Sequence, residues 1–164
     1  LEGMLLSRQR NEDLYQKFFV AHPWIFGAQY KQIVSHDAFN DENIPDFTGV
    51  RVRDAARDII EIKSPSLSLV QRNGELRAEF NKAWNQAERY LDFARSHSDY
   101  LYREKGLRFE NPICYLIAGY NLSDEHLRAV RRKERLNPAI TLLTYNDVLA
   151  LGKATVELIN NLRN

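Results

Sequence analysis

A chain of 164 residues with 44% apolar, 11% aromatic and 27% charged side chains has the make-up of one soluble globular domain spanning 1–164, which excludes a disordered tail or a fibre. Its formal net charge of +1 argues against nucleic-acid binding through bulk charge and leaves room for a local basic face. No apolar run approaches the roughly 20 residues that span a bilayer, and the lone cysteine, Cys114, builds no disulfide framework, so a reducing, cytoplasmic setting without membrane contact is expected.

The first element expected is a helix from Asn11 to about Ala21, with Asn11 as N-cap, Glu12 and Asp13 in the first turn, and Leu14, Tyr15, Phe18 and Phe19 on its apolar side. It stops at His22-Pro23, where proline discourages helix. Ala28 to His36, rich in β-branched and aromatic residues, reads as a strand, and Asp37 to Asn43 as a polar loop. Two runs follow, Pro45 to Arg53 and Ala56 to Lys63, and the short polar break between them marks a hairpin. A linker through Ser64, Pro65, Ser66 and Gly74 leads to a long helix from Glu75 to about His97, whose Phe80, Ala83, Trp84, Ala87, Leu91 and Ala94 recur at helical spacing. Pro112 to Gly119 reads as a buried strand, and Ser123 caps a charged helix to about Leu136 in which Glu125 and Glu134 are placed for local charge pairs. Ala139 to Thr144 is a further strand and Asn146 to Leu162 a closing amphipathic helix. Helix, three strands, helix, strand, helix, strand, helix is the order of an α/β sandwich around a mixed sheet.

The hairpin concentrates the chemistry. With its turn centred near Arg53 and Asp54, facing residues have numbers summing to about 107, which sets Asp46 opposite Glu61 with Cβ atoms about 4.5–5.5 Å apart. Strand alternation turns Glu61 and Lys63 to one face and Ile60 and Ile62 to the other. Facing carboxylates repel, so a sheet that buries them needs a cation or a raised pKa, and a divalent ion answers that need. Hard Mg²⁺ takes one or two carboxylates and keeps its other positions for water and phosphate oxygens. Such a centre activates water and stabilises charge on a scissile phosphate, with Lys63 placed to orient or deprotonate the water. Taken alone, an acid two residues before a lysine is usually a solvated strand face. Pro45-Asp46 at hairpin spacing, apolar opposite faces and the following amphipathic helix weigh against that reading.

Several blocks then carry a resemblance: Phe18-Phe19, His22-Pro23-Trp24-Ile25-Phe26-Gly27, Ile44-Pro45-Asp46-Phe47, Ile59-Ile60-Glu61-Ile62-Lys63-Ser64-Pro65, and Ala83 with Gln86 and Tyr90. In their order they resemble the nuclease domain of Shedu-type proteins, a prokaryotic anti-phage defence family of the PD-(D/E)xK superfamily. The resemblance implies a restriction-endonuclease-like α/β/α sandwich and Mg²⁺- or Mn²⁺-dependent cleavage of DNA, with no small-molecule cofactor. In it Asp46 and Glu61 are metal ligands and Lys63 the catalytic lysine. It also implies a homo-oligomer and an amino-terminal regulatory region beyond this chain, in keeping with a start at Leu1 rather than methionine. By the same resemblance Glu12 approaches the metal and Gln86 stands by the catalytic centre holding water or phosphate. Read from the residues alone, Glu12 is a first-turn glutamate favoured by the helix dipole, and Gln86 borders a packed stripe.

The remaining polar residues point to less. His22, His36, His97 and His126 lack ligand spacing, with His36 alone beside the loop before the site. Arg128, Arg131, Arg132, Lys133 and Arg135 are broken up by Asp124, Glu125 and Glu134 and read as a solvated helix face. Lys31, Arg51, Arg53 and Lys82 are unranked candidates for DNA contact. A repair or recombination nuclease of junction-resolvase type, and a DNA-binding or oligomerisation module without turnover, are the competing functions.

Overall fold

In the computed structural model, which describes residues 1–162, five strands form one mixed sheet in the order β1-β2-β3-β4-β5. The strands are β1 (Tyr30–Ser35), β2 (Phe47–Arg51), β3 (Arg57–Ile62), β4 (Cys114–Ile117) and β5 (Ile140–Leu143). The first three pair as an antiparallel meander, whereas β4 and β5 run parallel to β3. Among the described residues six α-helices complete the fold: α1 (Glu2–Leu6), α2 (Glu12–Ala21), α3 (Ala78–Ser96), α4 (Ser98–Lys105), α5 (Asp124–Glu134) and α6 (Tyr145–Asn161). None among the described residues is long and apolar enough to cross a membrane.

Apolar burial divides along the sheet, as alternation requires. Ile59, Cys114, Leu116, Ile140 and Leu142 face a core built with Phe80, Trp84, Leu91, Leu101 and Val130 from α3, α4 and α5. Ile60, Ile62 and Ile117 face a second core with Leu5, Tyr15, Phe19, Tyr145 and Val148 from α1, α2 and α6. The sheet therefore lies between two helical layers. Gly49 in β2 lets the edge strand close onto the hairpin, because a Cβ there would stand 2.7 Å from the Tyr30 ring.

Capping follows the residue chemistry. Asn11 accepts from the Asp13 amide, Ser123 from His126, and Thr144 forms a capping box with Asp147. The long helix begins at Ala78 rather than Glu75, because Leu76 is bridged to Val70 and the turn between them belongs to the linker. Three short elements lie outside the sequence expectation: α1, the 3₁₀ turn Pro23–Phe26, and α4. Each is too short for helical periodicity to show, and α4 buries only Leu101. Its end was marked all the same, by Arg103 and Lys105 in the last turn and by Gly106 at φ 66°.

Arg51 is corrected by the fold. Instead of reaching for DNA it is buried, pairing with Asp54 at 3.0 Å and Asp58 at 3.1 Å and donating to the Glu110 carbonyl at 2.6 Å. The sheet has drawn this cation inward because Asp58, 3% exposed, needs a partner there. Lys31, Arg53 and Lys82 remain exposed.

Candidate active site

The hairpin register matches the sequence arithmetic: Phe47 pairs with Ile60 and Thr48 with Ile59, partner numbers that sum to 107. Continued one step, the ladder brings Asp46 against Glu61. The Asp46 amide donates to Glu61 Oε2 at 3.3 Å, and the Ile62 amide donates to Asp46 Oδ2 at 2.8 Å. Lys63 Nζ donates to Glu61 Oε1 at 2.7 Å. Glu61 is only 2% exposed, so this ion pair is buried on its acidic side, while Lys63 opens toward solvent.

Neighbouring elements hold this trio in place. Just before β2, Ile44 offers its carbonyl to Tyr90 Oη at 3.1 Å, and Arg89 donates to Asn43 at 3.2 Å, so α3 pins the segment that carries Asp46. Phe39 anchors the preceding loop by packing its ring on Phe93 and Phe109. Behind Lys63, the Tyr145 hydroxyl at the start of α6 donates to the Lys63 carbonyl at 2.8 Å. The Lys63 amide is bonded to the Ile117 carbonyl of β4 at 2.8 Å.

Glu12 and Gln86 both come to the margin of the trio. Glu12 Oε2 accepts from the Ser64 amide at 2.8 Å, and its side chain lines the same groove as Lys63 and Gln86. Gln86 gives its amide nitrogen to Tyr90 Oη at 2.7 Å, which makes it a brace for the Asp46 segment. A further residue, Gln16, escaped the sequence reading: its Nε2 donates to Asp46 Oδ1 at 2.7 Å. The signal for it lay in helical spacing, since Gln16 stands one turn beyond Glu12 on α2. The His36 amide donates to the Asp46 carbonyl at 3.0 Å. On α5, Arg131 pairs with Glu134 at 2.7 Å, and no site residue lines the depression beside Arg128 and Arg132.

The electrostatics follow from crowding two carboxylates out of water. Burial first, then the neighbouring Asp46 carboxylate, push Glu61 up to about 7 against the pull of Lys63. Burial likewise raises Asp46 and Glu12 above the usual carboxylate range. For Lys63, burial works against the charge, but Glu61, Glu12 and Asp46 outweigh it and hold the ammonium above the ordinary lysine value. Glu61 thus binds a proton in the folded chain at pH values where the unfolded chain has released it. Its contribution is present below the ordinary glutamate pKa of about 4.3 and is lost as pH rises toward 7. In chelator, the melting temperature of the parent is expected to fall between pH 5 and 8, by the equivalent of about 2–3 kcal/mol. The fall should be clearly smaller in Glu61→Gln, measured by calorimetry across that range. Equal slopes in the two proteins would remove Glu61 as the cause.

Oxygen donors of this kind suit a hard divalent ion, and Asp46 with Glu61 would be its ligands, Glu12 standing at the edge. In this geometry each oxygen of Asp46 and Glu61 is already engaged by a donor of the protein. Among the described residues no group of three or more His, Cys, Asp or Glu side chains is arranged to hold a metal ion. The structure brings Asp46, Glu61 and Lys63 together and leaves Glu12 beside them rather than in one ligand cluster.

Compared with known families, residues 9–149 match the one described as Shedu protein SduA, C-terminal. No match was found among curated proteins. The matched span contains the whole hairpin, Glu12, Gln16 and the helix that carries Gln86.

Proposed function

The chain belongs to the Shedu SduA C-terminal family, and from that premise we propose that it is a metal-dependent DNA endonuclease of restriction-endonuclease-like fold. Family membership suggests a role in anti-phage defence, and phosphodiester hydrolysis is the activity that the site's chemistry supports. The observation that carries the reading is the buried pair of Asp46 and Glu61 with Lys63 Nζ 2.7 Å from Glu61 at the mouth of an open groove. Burying two repelling carboxylates costs stability, and a site that keeps them has a use for the negative charge. Mg²⁺ or Mn²⁺, when bound, would supply Lewis-acid activation of water and charge neutralisation at the phosphate.

The protein's own groups do the rest. Asp46 and Glu61 present oxygens from the residue leading into β2 and from β3, held by the Ile62 and Asp46 amides, so little reorganisation is needed to fix their positions. Lys63, an ammonium beside Glu61, orients the attacking water and stabilises charge on the phosphate oxygens. Gln16 fixes Asp46 Oδ1, and Gln86 through Tyr90 fixes the backbone that leads into Asp46. Acting on phage DNA, the enzyme would work in the cytoplasm as a homo-oligomer.

One observation favours a second reading, a DNA-binding or oligomerisation module without turnover: the carboxylate oxygens of Asp46 and Glu61 are satisfied internally. The two readings separate on metal. The nuclease is expected to bind Mn²⁺ with a rise in melting temperature that Asp46→Ala removes, and to nick plasmid only when Mg²⁺ or Mn²⁺ is added. Absence of both effects would leave the non-catalytic module. Running linear, nicked and branched substrates beside the plasmid separates a general endonuclease from a junction-resolving one.

A further inference from the structure

A groove of about 620 Å³ opens from Lys63 between the segment after β3 and the amino-terminal half of α3. One wall carries Ser64, Ser66 and Ser68 together with the half-buried Leu67, while Pro65 is buried, so that the hydroxyls are the polar lining of that wall. The other wall carries Arg77, Lys82 and Gln86. Arg77 and Lys82 are exposed, and neither forms an ion pair among the described residues. Two carboxylates also line the groove. Glu12 is engaged by the Ser64 amide, and Glu79 sits on the first turn of α3 beside Lys82.

We propose that this groove is the track for the DNA strand flanking the scissile phosphate, with Arg77 and Lys82 contacting its phosphates as cations and Ser66 and Ser68 as hydroxyl donors. The proposal rests on the nuclease reading for its direction, since a polyanion reacting beside Lys63 must leave the site along a surface continuous with it. Phosphate contacts from lysine, arginine and serine position a strand without reading its sequence, so the track predicts sequence-independent affinity. The depression on α5 has more arginines, but no site residue lines it, and Arg131 there is already paired.

Metal-free binding isolates the track from catalysis. Fluorescence anisotropy of a labelled duplex oligonucleotide, in chelator and across a range of NaCl concentrations, compares the parent with Arg77→Ala/Lys82→Ala. The variant is expected to lose about tenfold or more in affinity, and its slope of log K against log salt should shrink by about two, one for each phosphate that the protein no longer neutralises. Ser66→Ala/Ser68→Ala should lose about fivefold with the slope unchanged, because a hydroxyl releases no counterion. Arg128→Ala/Arg132→Ala on α5 removes the same charge elsewhere and should bind as the parent does. A parent that binds no duplex, an Arg77/Lys82 variant with the parental slope, or an equal loss in the α5 variant would each overturn the track. Retained binding with no metal-dependent cutting would instead defeat the nuclease reading and leave the track standing.

Discussion

Lys63→Ala is expected to slow metal-dependent DNA hydrolysis by roughly 10³-fold, the scale on which a positioned proton-transfer group or charge-stabilising donor acts. The lysine touches Glu61 at 2.7 Å and opens onto the groove, so it stands between the acidic pair and any phosphate that enters. On the proposed function its removal takes away the group that would steady the water and the phosphate charge, while Asp46 and Glu61 keep their places beside β2 and on β3. The variant should therefore still show a Mn²⁺-induced rise in melting temperature, whereas Asp46→Ala and Glu61→Ala should lose that rise together with activity. Nicking rates of supercoiled plasmid read the first effect and calorimetry the second. A Lys63→Ala protein that cuts as fast as the parent would end the assignment of this lysine to catalysis.

Arg51→Ala should be the most damaging polar substitution for stability, at about 3–5 kcal/mol, because it strands the Asp58 carboxylate inside the protein. Asp58 is held by Arg51 at 3.1 Å, by the Tyr30 hydroxyl at 3.0 Å and by the Ile113 amide at 3.1 Å, and only Arg51 brings a positive charge. Urea denaturation at pH 7 reads the loss as a lower midpoint. Arg53→Ala is the matched control: its side chain is 76% exposed beside the same Asp54, and such a pair is worth under about 1 kcal/mol. Combining Arg51→Met with Asp58→Asn should restore part of the loss, since the orphaned charge is then gone. Equal midpoints for Arg51→Ala and Arg53→Ala would show that the buried network contributes nothing.

The hairpin was legible in the sequence because its turn is short and its strands alternate, which fixes register by counting. That one inference places Asp46, Glu61 and Lys63, and the two isoleucines on the opposite face, without knowledge of any other element. The cores of α2 and α3 were legible for the same reason, in a different period: Tyr15 and Phe19, or Phe80, Trp84, Ala87 and Leu91, repeat with the helical turn. Features that depend on tertiary contact were not. Arg51 looks like any surface arginine until Asp58 and the Glu110 carbonyl are brought around it. Gln16 looks like a helix-surface glutamine until α2 is laid across the end of the sheet, where it meets Asp46. The starting point of α3 turned on a single bridge between Val70 and Leu76, a pairing with no signature in composition.

The central position of β3 has a consequence for how the Glu61 position opens to solvent. The strand is hydrogen-bonded to β2 on one side and β4 on the other, and five of its six residues are buried. Its amides belong to the class that exchanges with solvent only when the whole domain opens, whereas peripheral turns fray at far lower cost. Glu61 lies within that strand and Lys63 directly follows it, with its amide bonded to the Ile117 carbonyl of β4, so displacing Glu61 requires breaking the centre of the sheet. Along a denaturant gradient, protection of the Glu61 amide is expected to follow the global unfolding curve rather than the earlier fraying of the peripheral turns.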